Sequence, residues 1–550
     1  MLRERANNFF EHDEANLPPL LHFDYEVVLD ARDFAPPANY ALLRITRCHQ
    51  LRIEDCVDEN KPPVIVLDPR AGHGPGIGGF QHDSEVGLAL HKGHPTYFVT
   101  FFSLPCPNQT LPDVLHALRQ FVTEVGRRHG GKAPVLYGNC QAGWAAILLA
   151  ADCGGLSGVT VLNGSPLSYW AGASDANPMR LAGGLLGGVW MTHLLADLGN
   201  GRLDGAWLVQ NFENLNPANT LWEKNYKVFS KIDTERERFL DFERWWTGYY
   251  FLSREEILSI VENLFIGNKL ERGMMKLADG CSVDLRRIHN PIVVFASSAD
   301  NIAPPQQALD WISAIYPTTA ALKQAGQRIV YLLNEHVGHL GIFVSAGVAR
   351  LEHRAILESL DALAALPPGL YEMKLTPAAD ADDKKLQYSV HFEEREVEQV
   401  DYAYPKHSFE KVQNVSEWNE LWYANLVSPW IRALANPFSA EMLKWLHPMR
   451  VGHALFSEKL NPWMLPLKML VPAVRGARMP VDETNRFIAM EGKASGTISS
   501  VLDNYRRTRD AVSEHLFAKV YGGDDLSLRD GLLAEAGDFS QNSEIVPELA

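Results

Sequence analysis

The chain has 550 residues, 46% hydrophobic and 21% charged, which is too long for one ordinary domain and too apolar for a disordered protein. Its 51 Lys and Arg stand against 67 Asp and Glu, a formal charge of −16; general nucleic-acid binding is excluded, because phosphate neutralisation needs clustered cations. Six cysteines with no CxxC pair exclude a disulfide scaffold and a zinc module, and the expected setting is reducing and cytoplasmic.

Residues 1–38 read as an N-terminal extension. They open charged and lack an apolar run, so no secretory signal is expected. From 39 to 165, strand and helix alternate. Val64–Leu67, Tyr97–Phe102, Pro134–Tyr137 and Gly158–Leu162 have the short apolar runs of buried parallel strands. Val114, Leu115, Leu118, Val122 and Val125 recur at helical spacing between the second and third of these. The pattern predicts an α/β sheet with helices on both faces.

The alternation lapses over 166–287, which is helical and aromatic and is read as a lid inserted between two halves of the sheet. Leu185, Leu186, Val189, Trp190, Trp245, Trp246, Tyr249, Tyr250 and Phe251 give that lid apolar material for a substrate pocket. Within it, Leu181–Leu198 is 18 residues with glycines and His193 inside, so a Gly-rich buried or pocket-lining helix is expected and a transmembrane segment is not. Alternation resumes over 288–367, with strands at Pro291–Ala296 and Arg328–Leu333.

Residues 368–521 read as a β-hairpin followed by a mostly helical C-terminal domain. Gly369–Leu375 is expected to pair with Leu386–Glu394 across the Pro377–Lys385 loop. The residues Trp418, Trp422, Trp430, Trp445 and Trp463, with the apolar stretch Met464–Val474, are read as a helical core; a membrane or polyester docking surface is the alternative. The acidic tail 522–550 is expected to be disordered.

The sharpest local motif is Gly138-Asn139-Cys140-Gln141-Ala142-Gly143, directly after a strand and opening a helix. A nucleophile elbow needs this arrangement, with small residues flanking a strained nucleophile. The helix N-terminus favours a thiolate at Cys140, and the Gln141 N–H can face an oxyanion. A thiol nucleophile requires a base and the base an orienting acid, in the order nucleophile, acid, base. Asp300 and His339 stand in that order, each just past the end of a strand, where α/β sheets place their sites. His336 competes with His339, which is preferred because its Gly-His turn gives the ring room.

The loop Asp68–Gly79 formally contains GxGxxG at Gly74, Gly76 and Gly79. A dinucleotide site is rejected: Pro75 stiffens the turn, and no ribose-binding acid follows the next strand. The loop is instead expected to supply a second oxyanion donor, the N–H of Arg70 or Ala71.

The elbow, the Asp and His stations, and the segment Gly280–Ile288, Pro291 and Asp300–Pro304 resemble the polyhydroxyalkanoate synthases. More closely, Ala71–Phe80, Gly138–Trp144, His336–Phe343 and Asn461–Trp463 resemble an uncharacterised bacterial family allied to those synthases. The resemblance implies an α/β-hydrolase fold with a Cys140–Asp300–His339 triad acting on hydroxyacyl thioesters or esters. It implies acyl-CoA as a substrate, no cofactor and no metal, with a polyester as a further partner and a homodimer or granule-surface association left open. Ala142 replaces a Gly of the elbow, and Asn301 and Pro305 stand where synthases usually carry His and Trp. Non-polymerising acyl transfer or hydrolysis is therefore expected ahead of polymer synthesis.

Overall fold

The computed structural model describes residues 1–522 except 49–50, 53–56, 153–154, 173–176, 278–281, 378–387, 401, 403–405, 480 and 483–484. The acidic tail beyond residue 522 and most of the expected Pro377–Lys385 loop lie outside the described residues.

In chain order the strands are β1 (Asp24–Asp30), β2 (Tyr40–Cys48), β3 (Leu51–Arg52), β4 (Val64–Leu67), β5 (Thr96–Phe101), β6 (Val135–Asn139) and β7 (Thr160–Asn163). They continue with β8 (Arg202–Asp204), β9 (Phe251–Ser253), β10 (Ile292–Ser297), β11 (Arg328–Asn334), β12 (Gly369–Pro377) and β13 (Tyr388–Arg395). One sheet runs β1-β2-β5-β4-β6-β7-β10-β11-β12-β13, with β3 paired to β2 and β8–β9 apart as a two-stranded ribbon. From β5 to β12 every pair is parallel; β2 joins β5 antiparallel.

The central strands are apolar and buried along their length, as strands covered on both faces must be. One covering helix, Leu111–Arg128, starts at a capping box formed by Thr110 and Asp113, which satisfies two of its orphan backbone donors. It buries Val114, Leu115, Leu118, Val122 and Val125, the residues whose spacing marked it.

The sheet extends past the expected core at both ends. β1 belongs to the stretch read as an extension and pairs antiparallel with β2. The hairpin β12–β13 joins the main sheet, with Arg328 opposite Gly369 and Leu370 opposite Arg395. The outer edge of β11 would otherwise expose a row of unpaired backbone groups.

Two expectations about helices differ from the structure. Leu181–Leu198 is not one helix: Pro178–Leu185 and Trp190–Leu198 are bent by 79° at the break. Gly187 and Gly188 at that break take φ of +81° and +90°, a conformation glycine adopts freely. No single helix among the described residues is long and apolar enough to cross a membrane.

Nor do the C-terminal tryptophans form a core. Trp418, Trp422, Trp430 and Trp463 are 62%, 58%, 73% and 79% exposed. Their helices attach through other residues: Tyr423 donates to Asp197, Arg450 pairs with Asp204, and Trp445 stacks on Phe10 at 5.7 Å.

Candidate active site

The elbow is built by close packing. Cys140 sits between β6 and helix Ala142–Asp152 with φ +49°, a left-handed conformation costing about 1–2 kcal/mol for a non-glycine residue. Its N–H donates to the Asn163 carbonyl of β7 at 2.8 Å, which holds the turn from the neighbouring strand. A Cβ at Gly138 would lie 2.8 Å from the Gly143 Cα, and one at Gly143 would lie 2.0 Å from Ser165 Oγ. Both positions must be glycine for the strand and helix to meet.

Around Cys140 the fold gathers the expected partners. His339 Nε2 lies 3.2 Å from Cys140 Sγ, and His339 Nδ1 lies 2.7 Å from Asp300 Oδ2. The other carboxylate oxygen of Asp300 accepts the N–H groups of Ile302 and Ala303 at 2.8 and 2.9 Å, which fixes its orientation. His339 opens the helix His339–Val344, with Phe343 edge-on to its ring at 5.3 Å. His336 is 82% exposed and faces only Glu335.

Burial works against a charged His339, but the Asp300 and Cys140 charges outweigh it and push the imidazole up to about 10. The Asp300 carboxylate faces Nδ1, the position from which an orienting acid fixes that nitrogen as the donor.

Of the three residues expected to frame an oxyanion, Gln141 follows Cys140 in the chain, and Arg70 and Ala71 follow β4. The Gln141 N–H and the Arg70 and Ala71 N–H groups donate to no backbone acceptor among the described residues. The Arg70 side chain is turned away from that role: it donates to Asn39 and to the Phe251 carbonyl and pairs with Glu256 at 3.4 Å. A cavity of about 50 Å³ is lined by Arg70, Gln141 and Ala142, with Leu111, Leu115 and Leu264 on its apolar wall.

Three polar residues beneath the site were not singled out in the sequence. Asp68 accepts the N–H groups of Gly76 and Gly78 at 2.6 and 3.0 Å and so pins the Gly-rich loop. Burial pushes its carboxyl up to about 6 in spite of those donors. Glu85 accepts from Asn139 at 2.5 Å and from Asn163 at 3.3 Å, and Asn163 also donates to Asn139 at 3.0 Å. Burial raises the Glu85 carboxyl well above its ordinary value, the Asp68 charge adding to it. His353 Nε2 stands 3.6 Å from Glu85, and burial lowers the ring to about 4, which works against a charged partner for the carboxyl.

The third is His73, tilted against Trp245 at 4.3 Å and stacked on Trp246 at 5.8 Å, with Nδ1 3.0 Å from the Gly74 carbonyl. Burial lowers its imidazole to about 4, and the nearby His339 adds to the shift. The His-Gly pair after β4 is the sequence signal that marks it.

Part of the lid closes over this loop. Trp245 Nε1–H donates to the Gly74 carbonyl at 3.0 Å, and the Tyr250 N–H donates to the Gly72 carbonyl at 2.9 Å. Leu185 and Val189 go elsewhere, packing with Trp170, Phe409 and Phe517, and Leu186 is exposed.

A sheet of this strand order, with an elbow after β6 and polar stations after β10 and β11, defines an α/β-hydrolase fold. The chain belongs to the family described as "Protein of unknown function (DUF3141)", which it matches over residues 1–545. It is 42% identical over 544 residues to the "Uncharacterized protein in ackA 5'region" of Rhizobium meliloti, covering 97% of this chain and 73% of that protein. Over 108 residues it is 26% identical to the "Poly(3-hydroxyalkanoate) polymerase subunit PhaC" of Haloferax mediterranei, 19% of this chain and 22% of that protein. Similar solved structures include a monoacylglycerol lipase from Paleococcus ferrophilus (TM-score 0.33, 14% identity, 56% of this chain and 96% of that one). Another is the naproxen esterase of Bacillus subtilis (TM-score 0.33, 14% identity, 62% and 94%).

Proposed function

We propose that the protein is a cysteine-dependent acyltransferase or hydrolase acting on acyl, and particularly hydroxyacyl, thioesters or esters. The observation that carries this reading is the continuous contact from Cys140 Sγ through His339 to Asp300, at 3.2 and 2.7 Å, centred on a residue with φ +49°. The partial likeness to a poly(3-hydroxyalkanoate) polymerase subunit supports hydroxyacyl groups as the class transferred.

The Cys140 thiol passes its proton to His339, and the sulfur attacks the acyl carbon, forming a C–S bond. The Gln141 N–H, with that of Arg70 or Ala71, stabilises the oxyanion. His339 gives its proton to the departing thiolate or alkoxide, and the acyl-cysteine remains. His339 then takes a proton from the acceptor as it attacks, and Cys140 leaves as thiolate. Water as acceptor makes the protein a hydrolase; an alcohol makes it a transferase. Asp300 holds the imidazole throughout.

Incubating the purified protein with 3-hydroxybutyryl-CoA and with p-nitrophenyl butyrate, and following thiol release, phenol release and product size, tests the reading. Free hydroxyacid with released thiol is the expected result. Insoluble polyester would make the protein a polymerase, and no release from either compound would remove the catalytic reading.

A further inference from the structure

The C-terminal helices carry an apolar surface that the site does not use. A helical run passes without interruption through Lys406–Trp422, Tyr423–Val427 and Ser428–Leu434. Along it Trp418, Trp422, Leu426, Trp430 and Leu434 follow one another every four residues, and all five are exposed. The wider π-type turn at Tyr423–Val427 offsets the drift of that spacing, so the five form one stripe. The next helix, Pro437–Leu446, buries no residue and repeats the spacing with exposed Phe438, Met442 and Leu446. Helix Met464–Ala477 also buries none and begins after the exposed Trp463. Exposed large apolar side chains at this density on helix faces mark interaction surfaces.

Charge decides what covers it. Between Trp430 and Val481 there are seven Lys and Arg against two Glu, and from Asn461 to Val481 there is no acidic residue, in a chain whose net charge is −16. Arg450 is buried against Asp204, and Lys459 and Arg478 meet Glu14 and Asp233, while Arg432, Lys468 and Arg475 stand exposed. A cationic, Trp-bearing helical surface on an acidic protein complements an anionic lipid headgroup layer. An isologous dimer through the same face would set the cationic patch against itself. The apolar stripes match the depth of a headgroup boundary, and helices this short lie in it.

We propose that these helices dock the protein on an anionic lipid membrane, lying in the interface without crossing it. The docking surface involves none of Cys140, Asp300 or His339, so it stands or falls apart from the catalytic reading.

Flotation of the full chain with vesicles of phosphatidylcholine alone, and of phosphatidylcholine with phosphatidylglycerol, tests the proposal. The protein is expected to float with the anionic vesicles, to bind less as salt rises, and to shift its tryptophan emission to the blue. The exposed pair Lys468→Gln and Arg475→Gln is expected to weaken the partition about 30-fold. Trp430→Glu with Trp463→Glu, both on exposed positions that leave the core intact, is expected to abolish flotation with an unchanged circular dichroism spectrum. Equal flotation on both vesicle types, indifferent to the Lys468 and Arg475 changes, would overturn the proposal. So would absence from all vesicles, whether the protein then forms a dimer that Trp430→Glu disrupts or binds poly(3-hydroxybutyrate) particles instead.

Discussion

The amide of Asn139, one residue before Cys140, donates to the Glu85 carboxyl at 2.5 Å. The candidate nucleophile is thus anchored from a helix 54 positions earlier in the chain, and Asn163, which accepts the Cys140 N–H, is tied to the same carboxyl. A buried acid used in this way works as a hydrogen-bonding hub, and burial raises its carboxyl well above the ordinary range.

That relationship predicts a difference between two substitutions. Glu85→Gln keeps the shape and one of the two acceptor oxygens and should cost about 1 kcal/mol of stability. Glu85→Ala leaves two buried amides without their acceptor and should cost about 2–4 kcal/mol, with kcat falling as the elbow loosens. Thermal melts with parallel esterase assays check this. Equal melts for the two variants would show that the carboxyl does not hold the elbow.

Acid should destabilise the protein through its buried rings. His353 is ordinarily half-protonated at 6.5 but is lowered to about 4 in the fold, and His73 likewise. The unfolded chain therefore binds more protons below 6.5, so the stability from each neutral ring is complete above pH 6.5. It is lost as pH falls toward 4, at most about 3 kcal/mol per ring. Melting temperature followed from pH 8 to 5 should drop, and His353→Gln should drop less steeply. An identical slope in that variant would contradict the assignment.

The two histidines of the His336–His339 turn should separate cleanly. His339→Ala should lower turnover about 10²–10⁴-fold, and Asp300→Asn should act in the same direction through the ring's tautomer. His336→Ala, whose side chain stands in solvent, should leave turnover and melting unchanged. Steady-state rates on a chromogenic ester measure all three, and a dead His336→Ala would assign the base to the wrong ring.

The meeting of Cys140, Asp300 and His339 was legible because an α/β sheet brings strand ends together in a fixed chain order, and each of the three follows an apolar run. The Asp68 and Glu85 carboxyls were not. Each reads locally as a surface acid, and only the return of β6 and β7 beside them makes them buried. The break at Gly187–Gly188 was hidden because glycine fits both a packed helix and a turn, and only φ distinguishes them. The exposure of Trp418, Trp422 and Trp430 ran against expectation because spacing shows that residues share a face, not whether another element covers it. The edge strands β1 and β12–β13 were misplaced for a related reason: membership in a sheet depends on which edge is left open.

Passage of the acyl group through the Cys140 sulfur is measured by the intact mass of the protein after brief exposure to an activated acyl ester. A single acyl adduct is expected that maps to Cys140, is absent in Cys140→Ala, and accumulates far more slowly in His339→Ala. An adduct of equal yield in Cys140→Ala, or one mapping to the half-buried Cys106 at the same rate as to Cys140, would contradict it.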